Sequence, residues 1–379
     1  MTGPLPSYFT VLLGLAPLPA VLTTALREIE VEASVGAAAT FRLHFALSRN
    51  MLGDFDALAL PVLRPLTPVT IMVSLGLGVP QPLINGFLMD ARLSAGNRPG
   101  GSTLEIVGAD ALGTRMATIQ QPMAWPNLSD DRIAFILFGR HAIVPAAVDP
   151  LPPTRTLLDT TTTQTVSDAQ LLFALAAPHA FEVRLQPSPV PGVDLGVFRR
   201  PPPLPVPQGV LSVDFGRRTN LADFRVSYDM LRPTTVLGAS SDPRTRAPVP
   251  FAAPASIDVP LGAEPTLLRI LPPPVERPAG ALGAANPAEA QQRALARASA
   301  TSRSIRGEGK IDTAAFGRVL QPGEPVAVRG AGREHSGLYM VDRVTHRLTR
   351  DGYEQSFAGW RNAVGLFGPE FFDPLSAAA

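Results

Sequence analysis

The chain has 379 residues, with 33 basic and 32 acidic side chains and no cysteine. That length allows two or three domains, each with its own core. The nearly neutral charge lacks the clustered basic surface that binds nucleic acid or an anionic membrane, so we expect no nucleic-acid binding and no membrane insertion. Without cysteine, disulfides, thiolate zinc sites and cysteine nucleophiles are excluded.

The apolar segment 11–26 near the N-terminus could suggest a signal peptide. No lysine or arginine precedes it, however, and Pro17 and Pro19 interrupt it. It is also too short and too broken to span a bilayer. We therefore expect an N-terminal strand or arm, in a protein made in the cytoplasm.

Short antiparallel strands are predicted next, because apolar and polar residues alternate through 28–48 and 66–110, with glycines and prolines between the runs. A helix follows over 128–140, with Ser129 as its cap and Gly139 at its end. Segment 167–185 reads as a short helix, capped by Ser167, that runs into a strand. Residues 121–208 therefore form a small mixed helix–strand segment.

Proline, with 41 residues, is concentrated in three stretches, 145–154, 187–208 and 243–280. Because proline lacks an N–H and has a fixed φ, we expect these stretches to be neither central strands nor helix interiors. Leucine, isoleucine, valine and phenylalanine are interleaved with the prolines, which predicts extended arms lying on a surface.

The last third returns to strands, first over 209–231 and again over 305–362, where Asp351-Gly352 is a hairpin signal. Between them, 286–304 is the clearest helix. Asn286 caps it, Pro287 takes the first position, and Glu289 is placed as in a capping box. Its apolar face is mostly alanine, so the helix must pack closely against a neighbour.

The chain contains one pattern twice, at 66–110 and at 320–362. Each copy has a strand, a glycine turn, an apolar run that ends in aspartate, a loop and a final strand. This alignment pairs Gly86 with Gly337 and Asp90 with Asp342. It predicts a mainly β protein with two small antiparallel β domains related by internal duplication, within 1–120 and 209–379, on either side of the mixed segment.

No catalytic, cofactor or metal site is predicted. The histidines are isolated, and their best cluster is Glu334, His335, Asp342 and His346, which could meet across a hairpin but would more commonly be solvated strand residues. No G-x-S-x-G elbow is present, so Ser336 is interpreted as a turn serine. The glycine pairs lack the third glycine and the helix of a dinucleotide fingerprint.

The stretch from Gly307 to Asn362 resembles the C-terminal part of the contractile-tail hub family, which includes phage late control D proteins, the hub portion of VgrG and hubs of extracellular contractile injection systems. The residues that follow the family pattern are Leu320, Pro322, Gly323, Gly330, Gly332, Gly337, Tyr339, His346, Gly352 and Asn362. Segment 66–116 is similar to the family's first barrel, and 167–183 resembles its short helix–strand element.

The resemblance implies two tube-protein-like barrels in each chain and three chains in a ring. It implies a non-enzymatic structural baseplate hub, made in the cytoplasm and built into a phage-tail-like particle. The implied partners are further copies of itself, the inner tube protein, a separate spike protein and baseplate wedge proteins, with no cofactor. A tail-associated cell-wall hydrolase, or a carbohydrate-binding protein that uses Trp125 or Trp360, stays as an alternative.

The C-terminal segment 363–379 is too short for the spike domains of many relatives, so we expect the spike to be a separate gene product. Its aromatic residues, Phe367, Phe371 and Phe372, are expected either to dock a partner or to fold back onto their own barrel.

Overall fold

The protein is described by a computed structural model that covers residues 7–14, 16–98, 101–118, 120–152, 155, 161–202 and 206–366. Within these ranges the chain is mainly β-sheet, as predicted. The C-terminal aromatic residues Phe367, Phe371 and Phe372 lie outside the described residues.

The N-terminal part contains strands β1 to β7 and two short helices. The helices are α1 (Ala20–Ala25) and α2 (Arg115–Thr118). The strands are β1 (Ser7–Leu13), β2 (Ala16–Pro17), β3 (Leu26–Ser34), β4 (Thr40–Leu47), β5 (Pro68–Leu75), β6 (Gln81–Ser94) and β7 (Ser102–Ala109).

The middle part is mixed, with two helices and five strands. The helices are α3 (Asp130–Arg140) and α4 (Asp168–Ala176). The strands are β8 (Met123–Trp125), β9 (Val144–Val148), β10 (Thr162–Gln164), β11 (Glu182–Pro187) and β12 (Asp194–Arg199).

The C-terminal part contains the remaining strands and helices. The helices are α5 (Pro287–Ser302), α6 (Thr313–Phe316) and α7 (Gly332–His335). The strands are β13 (Val210–Ser212), β14 (Leu221–Tyr228), β15 (Thr235–Ser241), β16 (Pro248–Ala253), β17 (Glu264–Pro265), β18 (Val275–Glu276), β19 (Ile305–Asp312), β20 (Pro325–Arg329), β21 (Gly337–Thr349), β22 (Gly352–Arg361) and β23 (Ala363–Val364).

One long sheet contains both copies of the repeated pattern. The first copy has the spatial order β3-β4-β7-β6-β5-β1 and the second has the order β14-β19-β22-β21-β20-β13. Corresponding strands also follow one another in the same order along the chain. The copies differ at their last pair, since β1 runs antiparallel to β5 whereas β13 runs parallel to β20. The shared strand order confirms the predicted duplication.

Two β-bulges occupy equivalent places in the two copies. Where β3 meets β4, Arg27 is left out of the ladder, and Ala222 is left out where β14 meets β19. Where β6 meets β7, the residue left out is Met89, and its counterpart between β21 and β22 is Asp342. A bulge shifts every later residue of its strand, so matching bulges fix the equivalence of the copies residue by residue.

The turn before β5 and its counterpart before β20 share a hydrogen bond and an unusual backbone conformation. Leu66 N donates to Leu88 O at 2.8 Å, and Gly323 N donates to Val341 O at 2.7 Å. The φ of Leu66 is +60° and that of Gly323 is +76°, in the left-handed region. The second copy has glycine there, which adopts this conformation without a steric penalty, whereas the first copy has leucine.

The structural register corrects the alignment read from the sequence. Val69 of β5 lies opposite Gly86, and the equivalent Val326 of β20 lies opposite Tyr339, so Gly86 corresponds to Tyr339 and not to Gly337. The glycines misled the alignment because they mark turns and close contacts that fall at different places in the two copies.

An aromatic ring and a glycine have exchanged places between the copies. In the first, the ring of Phe41 on β4 lies over β6, and a Cβ on Gly86 would come within 2.8 Å of it. In the second, β19 has Gly307 at the position of Phe41, and the ring comes from Tyr339 on β21, where a Cβ on Gly307 would lie 2.8 Å away. The same volume is therefore filled from opposite strands.

The proline-rich stretches contain strands, and one of these is a central strand, which was not predicted. Residues 194–199, inside the stretch 187–208, form β12, which is the central strand between β11 and β9. The expectation that no central strand lies there is wrong, because the nine residues between Pro191 and Pro201 contain no proline and can donate all their N–H groups. Pro248 and Pro250 lie in β16, at the edge of its sheet, which is where proline is tolerated.

Helix α5 packs as its alanine face requires. Ala290, Ala294 and Ala298 are buried against Phe251 and its neighbours on β15 and β16. Asn286 caps the helix by accepting a hydrogen bond from Glu289 N at 2.9 Å. The predicted close packing is confirmed, and its partner is a small sheet of the same chain.

Candidate functional site

The residues predicted as a possible metal cluster do not come together. His346 is buried, Glu334 contacts Arg269 at 3.3 Å, and Asp342 contacts Arg306 at 3.0 Å. No group of three or more potential ligands that could hold a metal ion is found in the described part of the chain.

His346 belongs to the interior of the sheet. Its Nδ1 lies 2.8 Å from the Tyr353 hydroxyl, and burial lowers the pKa of the imidazole to about 3. Burial likewise raises the pKa of Tyr353 well above its usual value. Ser336 is buried and its Oγ accepts a hydrogen bond from Ala331 N at 3.1 Å, which confirms its interpretation as a turn serine.

The tryptophans proposed for carbohydrate stacking are not accessible. Trp125 is 5% exposed and its Nε1 donates to Gln164 Oε1. Trp360 is 3% exposed, and the guanidinium of Arg303 lies 4.3 Å from its ring centroid. Neither ring offers a face to a sugar, so the carbohydrate-binding alternative through these two residues is wrong.

Two histidine–aspartate pairs join α3 to α4, and sequence spacing did not indicate them. His141, just after α3, contacts Asp168 in the first turn of α4 at 2.8 Å. His179, just after α4, contacts Asp130 in the first turn of α3 at 2.8 Å. Each aspartate lies at a helix N-terminus and each histidine at a C-terminus, where the helix dipole favours these charges. The pairs lie between packed helices and connect the two elements.

A further buried carboxyl lies on β11. Glu182 is 3% exposed, and burial raises its pKa to about 7, although Arg184, Arg303 and Arg199 act in the opposite direction. The side chain faces the interior beside Arg184, which is also buried. Nothing in the sequence around it distinguished it from a solvated glutamate.

One face of the long sheet is covered by charged side chains. Alternate residues of its strands carry acidic and basic side chains that pair across strands. The pairs include Arg42–Glu30, Arg92–Glu105, Lys310–Glu354 and Arg306–Asp342. A groove on this face is lined by residues of β14, β19, β21 and β22. Most of these side chains stay substantially exposed, so the face is solvated.

The two copies meet within the chain through antiparallel pairing of β3 with β21. On the charged face, β3 contributes glutamates and β21 contributes arginines. Arg347 contacts Glu28 at 2.5 Å and Arg343 contacts Glu32 at 3.9 Å. The hydrogen bond from Arg347 lowers the pKa of Glu28. On the other face of the junction, His346 lies opposite Val31, and both are buried.

Three solved structures share this fold over almost the whole chain. The tail protein from Neisseria meningitidis MC58 is 13% identical with a TM-score of 0.61, covering 94% of this chain and 97% of that one. The 43 kDa tail protein of prophage MuSo2 from Shewanella oneidensis is 14% identical with a TM-score of 0.64, covering 94% and 99%. The E. coli c3393 protein, a type VI secretion component, is 12% identical with a TM-score of 0.56, covering 89% and 73%.

The chain therefore has the fold of phage-tail and type VI secretion proteins. This confirms, at the level of the fold, the resemblance to contractile-tail hub proteins. No protein-family profile and no curated protein matches the sequence. Among the described helices, none has the length and apolar character to cross a membrane.

Proposed function

We propose that this chain is a structural baseplate hub of a contractile, phage-tail-like particle and that it works as a homotrimer. The observation that carries the proposal is the duplication: two copies with the same strand order and the same bulges lie side by side in one sheet. Three such chains in a ring would present six similar units. The ring would then match a sixfold tube on one side and a threefold spike on the other.

The fold relatives support this role. Two of them are described as tail proteins, and the E. coli protein is described as similar to the T4 bacteriophage tail proteins gp27 and gp5. The proposed partners are the inner tube protein, a separate spike and baseplate wedge proteins. The division into two tube-like parts, 1–120 and 209–379, with 121–208 between them, belongs to the same proposal.

The oligomeric state tests the proposal. Three chains of 40.1 kDa amount to about 120 kDa, and mass photometry should find this species, alone or after addition of the tube protein. Averaged electron micrographs should show a threefold ring whose outline approaches sixfold symmetry. A chain that stays monomeric in the presence of the tube protein would overturn the trimer.

The proposal also predicts no catalytic turnover by the purified chain. Peptidoglycan and nucleotides are the substrates to test. Turnover that disappears on His335→Gln or His346→Gln would instead favour an enzyme.

A further inference from the structure

We propose that neighbouring chains of the ring join by antiparallel pairing of β14 with the second half of β6, with Val226 of one chain opposite Leu93 of the next. This inference rests on the proposed trimer and names the strands and the register that would build it.

Both strands have an open edge in the described chain. β14 ends the long sheet and pairs only with β19. In β6, residues 81–87 pair with β5, but residues 89–94 have a strand partner on one side only, which is β7. All six residues from Met89 to Ser94 are exposed. An open edge presents unpaired N–H and C=O groups that can pair with another strand.

The junction inside the chain shows what should cover these edges. There β3 pairs with β21, and in the duplicated fold β14 corresponds to β3 while β6 corresponds to β21. At this junction the first copy uses its β3-type strand to meet the β6-type strand of the second copy. Within one chain this contact is made once, and it leaves over β14 and the second half of β6, both of which have an open edge.

The register of the proposed pairing follows from that of the internal junction, because equivalent residues can be found by counting from the equivalent bulges. Val31 is the fourth residue after the bulged Arg27, and Val226 is the fourth after Ala222. In the same way, His346 is the fourth residue after the bulged Asp342, and Leu93 is the fourth after Met89. Because His346 lies opposite Val31, Leu93 should lie opposite Val226.

In this register the apolar side chains of the two edges meet on one face of the sheet. Leu93 is 45% exposed, and it would be covered by the half-buried Val226, with Ala91 opposite Tyr228. On the other face, Arg92 would lie opposite Ser227, and Asp90 would lie opposite Asp229, with Arg92, which already contacts Asp90 at 2.7 Å, placed diagonally from Asp229 so that it can offset the repulsion between the two carboxylates. A slip by one residue would put Leu93 on the polar face, so this register is the one that buries the apolar residues.

The occupant is a second copy of the chain, because one chain carries one edge of each kind and the two edges are complementary to each other. Such head-to-tail contacts close into a ring when the rotation between copies allows it. The contact would continue the long sheet from one chain into the next.

Introduced cysteines test the register directly, since the chain has none of its own. In Leu93→Cys/Val226→Cys, mild oxidation should link most chains into covalent dimers and trimers on a non-reducing gel, because opposed residues of an antiparallel pair are within disulfide range. The control Leu93→Cys/Ser227→Cys places the second thiol on the opposite face and should link few. Mass photometry of each reduced variant reports whether the trimer still forms.

A charge on the proposed interface gives a second readout. Leu93→Lys should abolish the trimer while the monomer stays folded, because Leu93 is already partly exposed in the monomer. The control Leu77→Lys changes a fully exposed leucine in the β5–β6 turn and should leave the trimer intact.

The outcomes separate this inference from the hub proposal. A trimer that links in the control pair and not in the test pair, or that tolerates Leu93→Lys, overturns the strand pairing and leaves the hub standing. A wild-type chain that stays monomeric with the tube protein present overturns both.

Discussion

At the residue scale, the duplication allows equivalent residues of the two copies to be compared, and the clearest comparison is between Leu66 and Gly323. It holds the left-handed conformation that Gly323 holds in the second copy. A non-glycine residue in this region destabilises the folded state by about 1–2 kcal/mol. Glycine avoids that strain but lowers stability by about 0.5–1 kcal/mol, because the unfolded chain gains conformational entropy. Leu66→Gly should therefore raise the free energy of unfolding by roughly 0.5–1 kcal/mol, measured by urea denaturation.

The reverse change serves as its control. In Gly323→Leu, the new Cβ would lie 2.4 Å from Nε of Arg184, in addition to the backbone strain. This variant should be destabilised. A gain of stability in both variants would contradict the explanation from φ.

The buried Glu182 should make stability depend on pH. Its pKa is raised from 4.5 to about 7 by burial, so the folded state keeps a proton that the unfolded chain has released. Its contribution is constant below pH 4.5 and is lost as the pH rises to about 7. The Glu182→Gln variant should therefore gain about 3 kcal/mol relative to the wild type between pH 4.5 and pH 8.

Urea denaturation of both proteins across this range measures the difference. A difference in packing between glutamine and the protonated glutamate would shift the whole curve, so the slope of the difference with pH is the informative quantity. A flat difference would show that Glu182 titrates alike in the folded and unfolded states.

At the same scale, the sequence predicted turn residues more accurately than it predicted which side chains are buried. Ser336 was correctly predicted to be a turn residue, because glycine and serine favour turns through their own backbone conformation and hydrogen bonds to neighbouring residues. The burial of His346 could not be predicted, because it depends on which strands lie beside this residue, and those strands are distant in the chain. The His141–Asp168 pair was missed for the same reason.

At the element scale, α5 allows a test of close packing. Ala294 is fully buried against the β15–β16 sheet, whereas Ala300 on the same helix is exposed. Ala294→Trp should cost about 1–3 kcal/mol by overpacking, and Ala300→Trp should change little. Thermal unfolding of the two variants makes the comparison, and equal melting temperatures would contradict the packed contact.

The connection between α3 and α4 provides a second test. The carboxylate of Asp168 is fully buried and accepts from Arg140, His141 and Gln164. Asp168→Asn removes the charge that these donors compensate and should cost about 3 kcal/mol, since breaking a buried pair leaves the partner uncompensated. Asp351→Asn in an exposed hairpin is the matched control and should be nearly neutral. A small effect at Asp168 would mean that solvent reaches the pair.

Helix starts were predictable at this scale because caps are local signals. Asn286 and Ser167 both cap as expected, and Ser167 forms a full capping box with Gln170. Ser129 precedes α3 but makes no side-chain capping bond. The strand β12 was missed because the count of prolines in 187–208 concealed a run of nine residues without any.

At the scale of the whole molecule, the sequence indicated two copies of one unit, and the strand order agrees. It could not show that β3 and β21 join the copies into one sheet, because no local pattern records which edges meet. The boundaries at 120 and 208 stay a prediction.

The exchange of Phe41 and Gly307 between the copies has a consequence for folding. A chain with two copies of one fold risks exchanging equivalent strands between them while it folds. If β19 replaced β4, Gly307 would leave the first copy without its aromatic ring. If β4 replaced β19, Phe41 would collide with Tyr339 in the second. The inverse placement of ring and glycine thus penalises the misfolded arrangement in both halves, so each strand is compatible only with its own copy.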